Sequence, residues 1–149
     1  MKFKLSAVDA VRSFCRLQLA RVNYVKKMAA IVTYDRLSRQ APVLTGRYRW
    51  GMNCSLNDID YTVPAPAPKE NVKAKEVFYP LDAERAIKAF VSITINDSAI
   101  ISNSLPYAEP LENGHSKQAP SGVFRVVVPQ VKEDLKKWAA LAQGKDGGF

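Results

Sequence analysis

No glycine and no proline occurs before Pro42, so the opening of the chain lacks both residues that most readily stop a helix. Within that run Val8, Val11, Cys15, Gln18, Val22, Val25, Ala29 and Val32 recur at alternating spacings of three and four, the period of one helical face. Phe14, Leu17, Tyr24, Met28 and Ile31 widen the stripe. Ser6 is placed to cap, and Asp9 three residues on suits the positive end of the helix dipole. The pattern predicts one helix over 6–38. A stripe this broad needs cover from more than one neighbour, and a second subunit is among the candidates. Arg12, Arg16, Lys26 and Lys27 fall within roughly 100° of arc beside the stripe and make a basic face.

The segment QAPVLTG, 40–46, ends this helix and turns the chain. Over 47–56, Tyr48, Trp50, Met52 and Cys54 alternate with Arg47, Arg49, Gly51 and Asn53, which predicts a strand with its aromatics inward and its arginines outward. Residues 62–75 are rich in Pro, Ala and Lys, a composition for a solvated loop or an extended arm over 62–80. Asp82 is a candidate cap for a short helix over 83–89. FVSITI (90–95) and AIISN (99–103) read as the two strands of a hairpin turning at Asn96, Asp97 and Ser98. Residues 106–113 predict a helical turn followed by Gly114. The last segment has two readings. One is a helix over 121–142, kinked near Pro129; the other is a strand over 123–128 with a helix from Pro129. A frayed tail is expected over 143–149. The expected class is α+β: long N-terminal and C-terminal helices packed on a small, mainly antiparallel sheet, in a single domain over 1–149.

The chain has 149 residues and a net charge of +8. The charge is uneven: residues 1–50 hold 11 Lys/Arg against Asp9 and Asp35, whereas 51–149 hold 11 against 12 Asp/Glu. A surplus confined to one third of the chain attracts nucleic acid or an acidic neighbour. Cys15 and Cys54 are too few for a disulfide scaffold or a zinc site. No run reaches the roughly 20 apolar residues of a membrane span, and Asp9, Arg12 and Arg16 interrupt any signal-peptide core.

The residue types that carry catalysis are sparse. His115 is the only histidine and follows Gly114 in a loop, where bonding the loop backbone is its expected task. Glu109 and Glu112 share a helical face but have no further ligands nearby, so a solvated face or a salt bridge is expected of them. The stretch RYRW, 47–50, has the composition of a base-stacking, phosphate-gripping surface, while strand alternation would bury its aromatics instead. There is no phosphate-binding glycine motif and no helix-turn-helix pattern. No enzymatic activity, cofactor or metal is expected.

Two separated stretches, APVLTGRYRW (41–50) and NSLPYAEPLENGHS (103–116) running on through KQAPSG, resemble the tail-completion, or head–tail joining, proteins of long-tailed bacteriophages. That pattern sets a long N-terminal helix before a P-V-x-T-G turn, and later an N-x-x-x-Y-A-x-x-L-E-x-G motif with a Pro/Gly loop before a C-terminal helix. The resemblance marks Pro42, Thr45, Gly46, Trp50, Tyr107, Glu112, Gly114 and His115 as structural or interface residues. Tyr107 is expected to bury its ring against the sheet while Glu112 stays near the following loop. No catalytic residue accompanies the pattern.

The resemblance implies a virion neck protein, assembled in the host cytoplasm. It would form a homo-oligomeric ring of six or twelve copies between a head-side connector or adaptor protein and the tail tube or tail terminator protein. Phage DNA would pass through the bore without sequence-specific contacts and without any membrane. Arg12, Arg16, Lys26, Lys27, Arg47 and Arg49 are the candidates to face DNA or another subunit. The alternative is a small basic nucleic-acid-binding protein using the same helix and RYRW.

Overall fold

A computed structural model describes residues 7–42, 46–65 and 80–143. Ser6, Thr45, residues 66–79 of the expected arm and 144–149 of the expected tail lie outside the described residues. The architecture is α+β, with two long helices and a small two-stranded antiparallel sheet.

Helix α1 runs Ala7–Gln40, about 50 Å of continuous helix at the standard rise. It ends as the sequence predicts: Ala41 N–H still reaches the Leu37 carbonyl at 2.9 Å, and Pro42 follows. Only its last turns are buried, through Ala30, Tyr34, Leu37 and Ser38. There it packs against α3 (Pro80–Phe90) and α5 (Phe124–Gln143), and Arg36 pairs with Asp134 of α5.

The expected strand over 47–56 is only half a strand. Arg47–Trp50 is a helical turn, α2, and β1 covers Met52–Leu56. Gly46 opens α2 in the left-handed region at φ 68°, a conformation that costs a side-chain-bearing residue dearly. Tertiary bonds then take up the carbonyls of this turn. Asn103 Nδ2 donates to Tyr48 O at 2.9 Å, and Arg85 Nη1 donates to Trp50 O at 2.9 Å. Helical geometry removes the expected inside–outside alternation, so the neighbours Tyr48 and Arg49 are both buried.

The expected hairpin is also replaced. α3 continues to Phe90, because Ala86 and Phe90, four residues apart, both bury completely. Its start lies earlier than expected, with Pro80 in the first turn, where a missing N–H costs nothing; Asp82 therefore sits inside the helix and does not precede it. Residues 91–98 form a loop, and β2 (Ala99–Asn103) pairs with β1, Met52 opposite Asn103 through Leu56 opposite Ala99. After β2, α4 (Ala108–Glu112) is the expected helical turn.

The last segment takes its helical reading. Val123, Val127 and Val131 recur every four residues and all bury, and the core they join includes Tyr34, Leu37, Met52 and Phe90. Pro129 lies within α5, leaving the carbonyl four residues back at Arg125 without its helical donor.

Candidate functional site

The loop from β2 to α5 is organised around one carboxylate. Glu112 Oε1 accepts from Tyr48 Oη at 2.9 Å, from Val123 N–H at 2.9 Å and from Phe124 N–H at 3.0 Å. Its Oε2 accepts from Arg125 N–H at 3.3 Å. A helix N-terminus has unsatisfied N–H groups, and here a side chain from eleven residues upstream satisfies them. Burial pushes the Glu112 carboxyl upward, but these donors outweigh it and hold the group below the ordinary glutamate value. Burial, then the adjacent carboxylate, pushes the Tyr48 phenol far above its usual range.

Two glycines make this approach possible. Gly114 has φ 86° and Gly122 has φ 80°. A Cβ on Gly122 would stand 2.7 Å from Glu112 Oε2 and 2.8 Å from the Glu112 carbonyl, so a side chain there would evict the carboxylate. His115 is exposed, and its main-chain N–H reaches the Pro110 carbonyl at 3.2 Å. Tyr107 departs from expectation: it is 42% exposed, and Tyr48 is the tyrosine buried beside Glu112. The strand reading also turned Tyr48 inward; the helical turn at 47–50 sets its hydroxyl beside Glu112. An open depression of about 340 Å³, lined by Tyr48, Asn103, Glu109, Glu112 and Phe124, lies over this node. Glu109 is exposed at its rim, whereas the oxygens of Glu112 are already engaged.

The basic face divides. Lys26 turns its ammonium onto the 91–98 loop, donating to the carbonyls of Thr94 at 3.2 Å, Ile95 at 3.0 Å and Asp97. The Asp97 carboxylate closes the same loop. It accepts from Asn57 Nδ2 at 3.0 Å and from Thr94 N–H and Oγ1 at 2.8 and 2.7 Å, and these bonds hold its pKa down at about 2. Arg12 and Arg16 are exposed on α1, Arg12 with Asp9 4.0 Å away, and Lys27 is half-buried. Arg49 is only 6% exposed and Arg47 is half-buried, so the pair does not form the outward-facing surface that strand alternation predicts. Trp50 does meet a cation, but it is Arg85 of α3, with the guanidinium 5.2 Å from the ring centroid.

The outer part of α1 is the most unusual surface of the chain. Val8, Val11, Phe14, Leu17, Val22, Tyr24 and Val25 are all exposed, Phe14 to 62%. These side chains share the surface with Arg12 and Arg16. Single exposed apolar residues are ordinary; a continuous run along one helix is not.

Among the described residues no group of His, Cys, Asp and Glu is placed to hold a metal ion, and no helix is long and apolar enough to cross a membrane. Burial pushes the Cys54 thiol to about 12, with Arg85 pulling the other way, so it is neutral near physiological pH. Sequence reasoning missed Asn53, Tyr48 and Gly122 as organising residues. Asn53 is buried and donates to the carbonyls of Asp60 and Thr62 at 3.1 and 2.7 Å. A polar amide in the middle of a strand was the available signal. No family model matches the chain, and no curated protein or solved structure matches it.

Proposed function

We propose that this chain is a structural subunit of a phage neck, closing with copies of itself into a ring that joins the head connector to the tail and passes DNA through its bore. The observation that carries the reading is the outer part of α1, where a long apolar and cationic surface faces solvent, while Glu112 of the second motif is engaged within its own chain. Glu112, Gly114 and Gly122 fix how the C-terminal helix leaves the loop, which is a scaffold's task. The motifs at 41–50 and 103–122 add the resemblance to tail-completion proteins. DNA contacts within such a bore would be to phosphates and independent of sequence.

The test is the particle. In virions made from the genome that encodes this chain, the protein should co-purify at low, fixed copy number, and cryo-electron microscopy of the neck should show a ring of six or twelve copies. Loss of the gene should leave filled heads and separate tails. Absence of the chain from purified particles, with steep salt-dependent retardation of DNA by the free protein, would favour the nucleic-acid-binding alternative.

A further inference from the structure

The outer half of α1 carries Arg12, Arg16 and Arg21 against a single acid, Asp9. Pairing this helix with its counterpart in another copy would set those cations against one another. A nucleic-acid backbone would satisfy the charge but would leave Val8, Val11 and Phe14 uncovered. The partner that fits must be apolar and acidic together.

The chain itself carries such a surface. After β1, residues 58–63 read DIDYTV: Asp58 and Asp60 alternate with Ile59, Tyr61 and Val63, and no Lys or Arg occurs from Gly51 to Pro68. The three apolar side chains are exposed, Tyr61 to 74%. The backbone beneath them is fixed. Asn53 holds the carbonyls of Asp60 and Thr62, Ser102 Oγ donates to Asp60 O at 2.8 Å, and Thr62 N–H donates to Asp60 Oδ1 at 2.8 Å. Carbonyls turned to the sheet and apolar side chains turned to solvent give a pre-organised ridge, which lowers the ordering cost of a contact. Arg85, over the Trp50 ring, offsets part of the Asp60 charge.

We infer that the outer half of α1 of one copy docks on the 58–63 ridge of the next. Two different, complementary patches on one chain make a head-to-tail contact, the kind that closes into rings; a self-complementary patch stops at a dimer. The inference rests on the ring reading above and names the surfaces that make the ring.

Charge reversal on each surface separates the possibilities, read by sedimentation at low salt, with thermal melts to establish that each variant is folded. The wild-type chain should form species larger than a dimer and lose them as salt rises. Arg12→Glu with Arg16→Glu, and separately Asp58→Lys with Asp60→Asn, should each weaken association by about a hundredfold, since like charges then face each other. An equimolar mixture of the two variants should restore assembly, because every contact in an alternating ring is again complementary. If the Asp58/Asp60 variant associates like wild type, the ridge is not the partner and the inference falls, while the ring reading stands. A wild-type chain that remains monomeric at every concentration overturns the inference, while the ring reading is decided by the neck of the particle. Loss of binding to anionic vesicles in the α1 variant alone, with association of all three proteins unchanged, assigns the helix to a lipid surface and also overturns the inference.

Discussion

Around Glu112, one carboxylate gathers the Tyr48 hydroxyl and three backbone N–H groups at the start of α5, and two glycines with positive φ hold the loop that lets it reach them. Along the outer turns of α1, valines, Phe14 and Tyr24 face solvent beside arginines whose only ion pair there is the exposed Arg12–Asp9 contact among the described residues. Both regions belong to one chain and both carry the residue pattern of buried structure. The difference is in who supplies the partner. The Glu112 region closes with groups from α2 and α5 of its own chain, whereas outer α1 is left uncovered among the described elements. A periodic apolar stripe therefore states that a face needs cover and leaves open whose surface provides it.

The sharpest way to break the comparison is to make the same substitution on both halves of α1. Leu37 is 1% exposed and Leu17 is 50% exposed. Leu37→Ala should lower unfolding free energy by about 2–5 kcal/mol, the cost of a lost side chain plus its cavity. Leu17→Ala should change it by about 0.5 kcal/mol or less, the range of exposed sites. Urea denaturation of the dilute protein measures both. Equal losses would mean that the outer turns are packed within the lone chain, and the contrast between the two regions would disappear.

A smaller effect should come from Glu112 itself. Glu112→Gln keeps the size of the side chain but removes its charge and sets an N–H₂ against backbone donors, and should cost about 1–3 kcal/mol. The pH dependence gives the sign. The folded pKa of Glu112 lies below its ordinary value of 4.5, so its contribution is complete above 4.5 and is lost as pH falls through the depressed folded value. The stability gap between wild type and Glu112→Gln should therefore hold from neutral pH down to about 4.5 and narrow below it. A gap that widened on acidification would mean that Glu112 is stabilised as the protonated acid, contrary to the four donors around it.

How much of this was legible before the structure depended on where each element finds its partners. α1, β2 and α4 announce themselves through period, length and punctuation, α5 takes the helical one of its two readings, and the structure places all four within a few residues of expectation. The two misreadings, 47–50 and 90–95, both looked like strands by local β-propensity. In both, distant groups decide: Asn103 and Arg85 take the carbonyls of the first, while burial of Phe90 and the Asp97–Lys26 bonds shape the second. The Glu112 node was half legible. Gly114 and the place of Glu112 near the loop could be read, but Gly122 could not; the backbone donors lie at 123–125, and no local pattern links a carboxylate to a helix start eleven residues away.

Lys26 stands where the finished and unfinished parts of α1 meet, and its variant should produce the smallest of these effects. At the level of sequence it belongs with Arg12, Arg16 and Lys27 on one basic face; in the structure its ammonium is already committed to the carbonyls of residues 94, 95 and 97. Lys26→Gln should cost about 1 kcal/mol or less, since charge-assisted bonds at a partly exposed site are diluted by water. Its mark should be local: faster hydrogen exchange over the 91–98 loop, with the amides of 30–40 in α1 unchanged. It should also leave self-association intact, whereas reversing Arg12 and Arg16 should weaken it by about a hundredfold. If Lys26→Gln instead impaired association as strongly as the arginine variant while loop exchange stayed the same, the four cations would act as one outward surface. The division between outer α1 and the self-contained remainder would then begin later along the helix than Lys26.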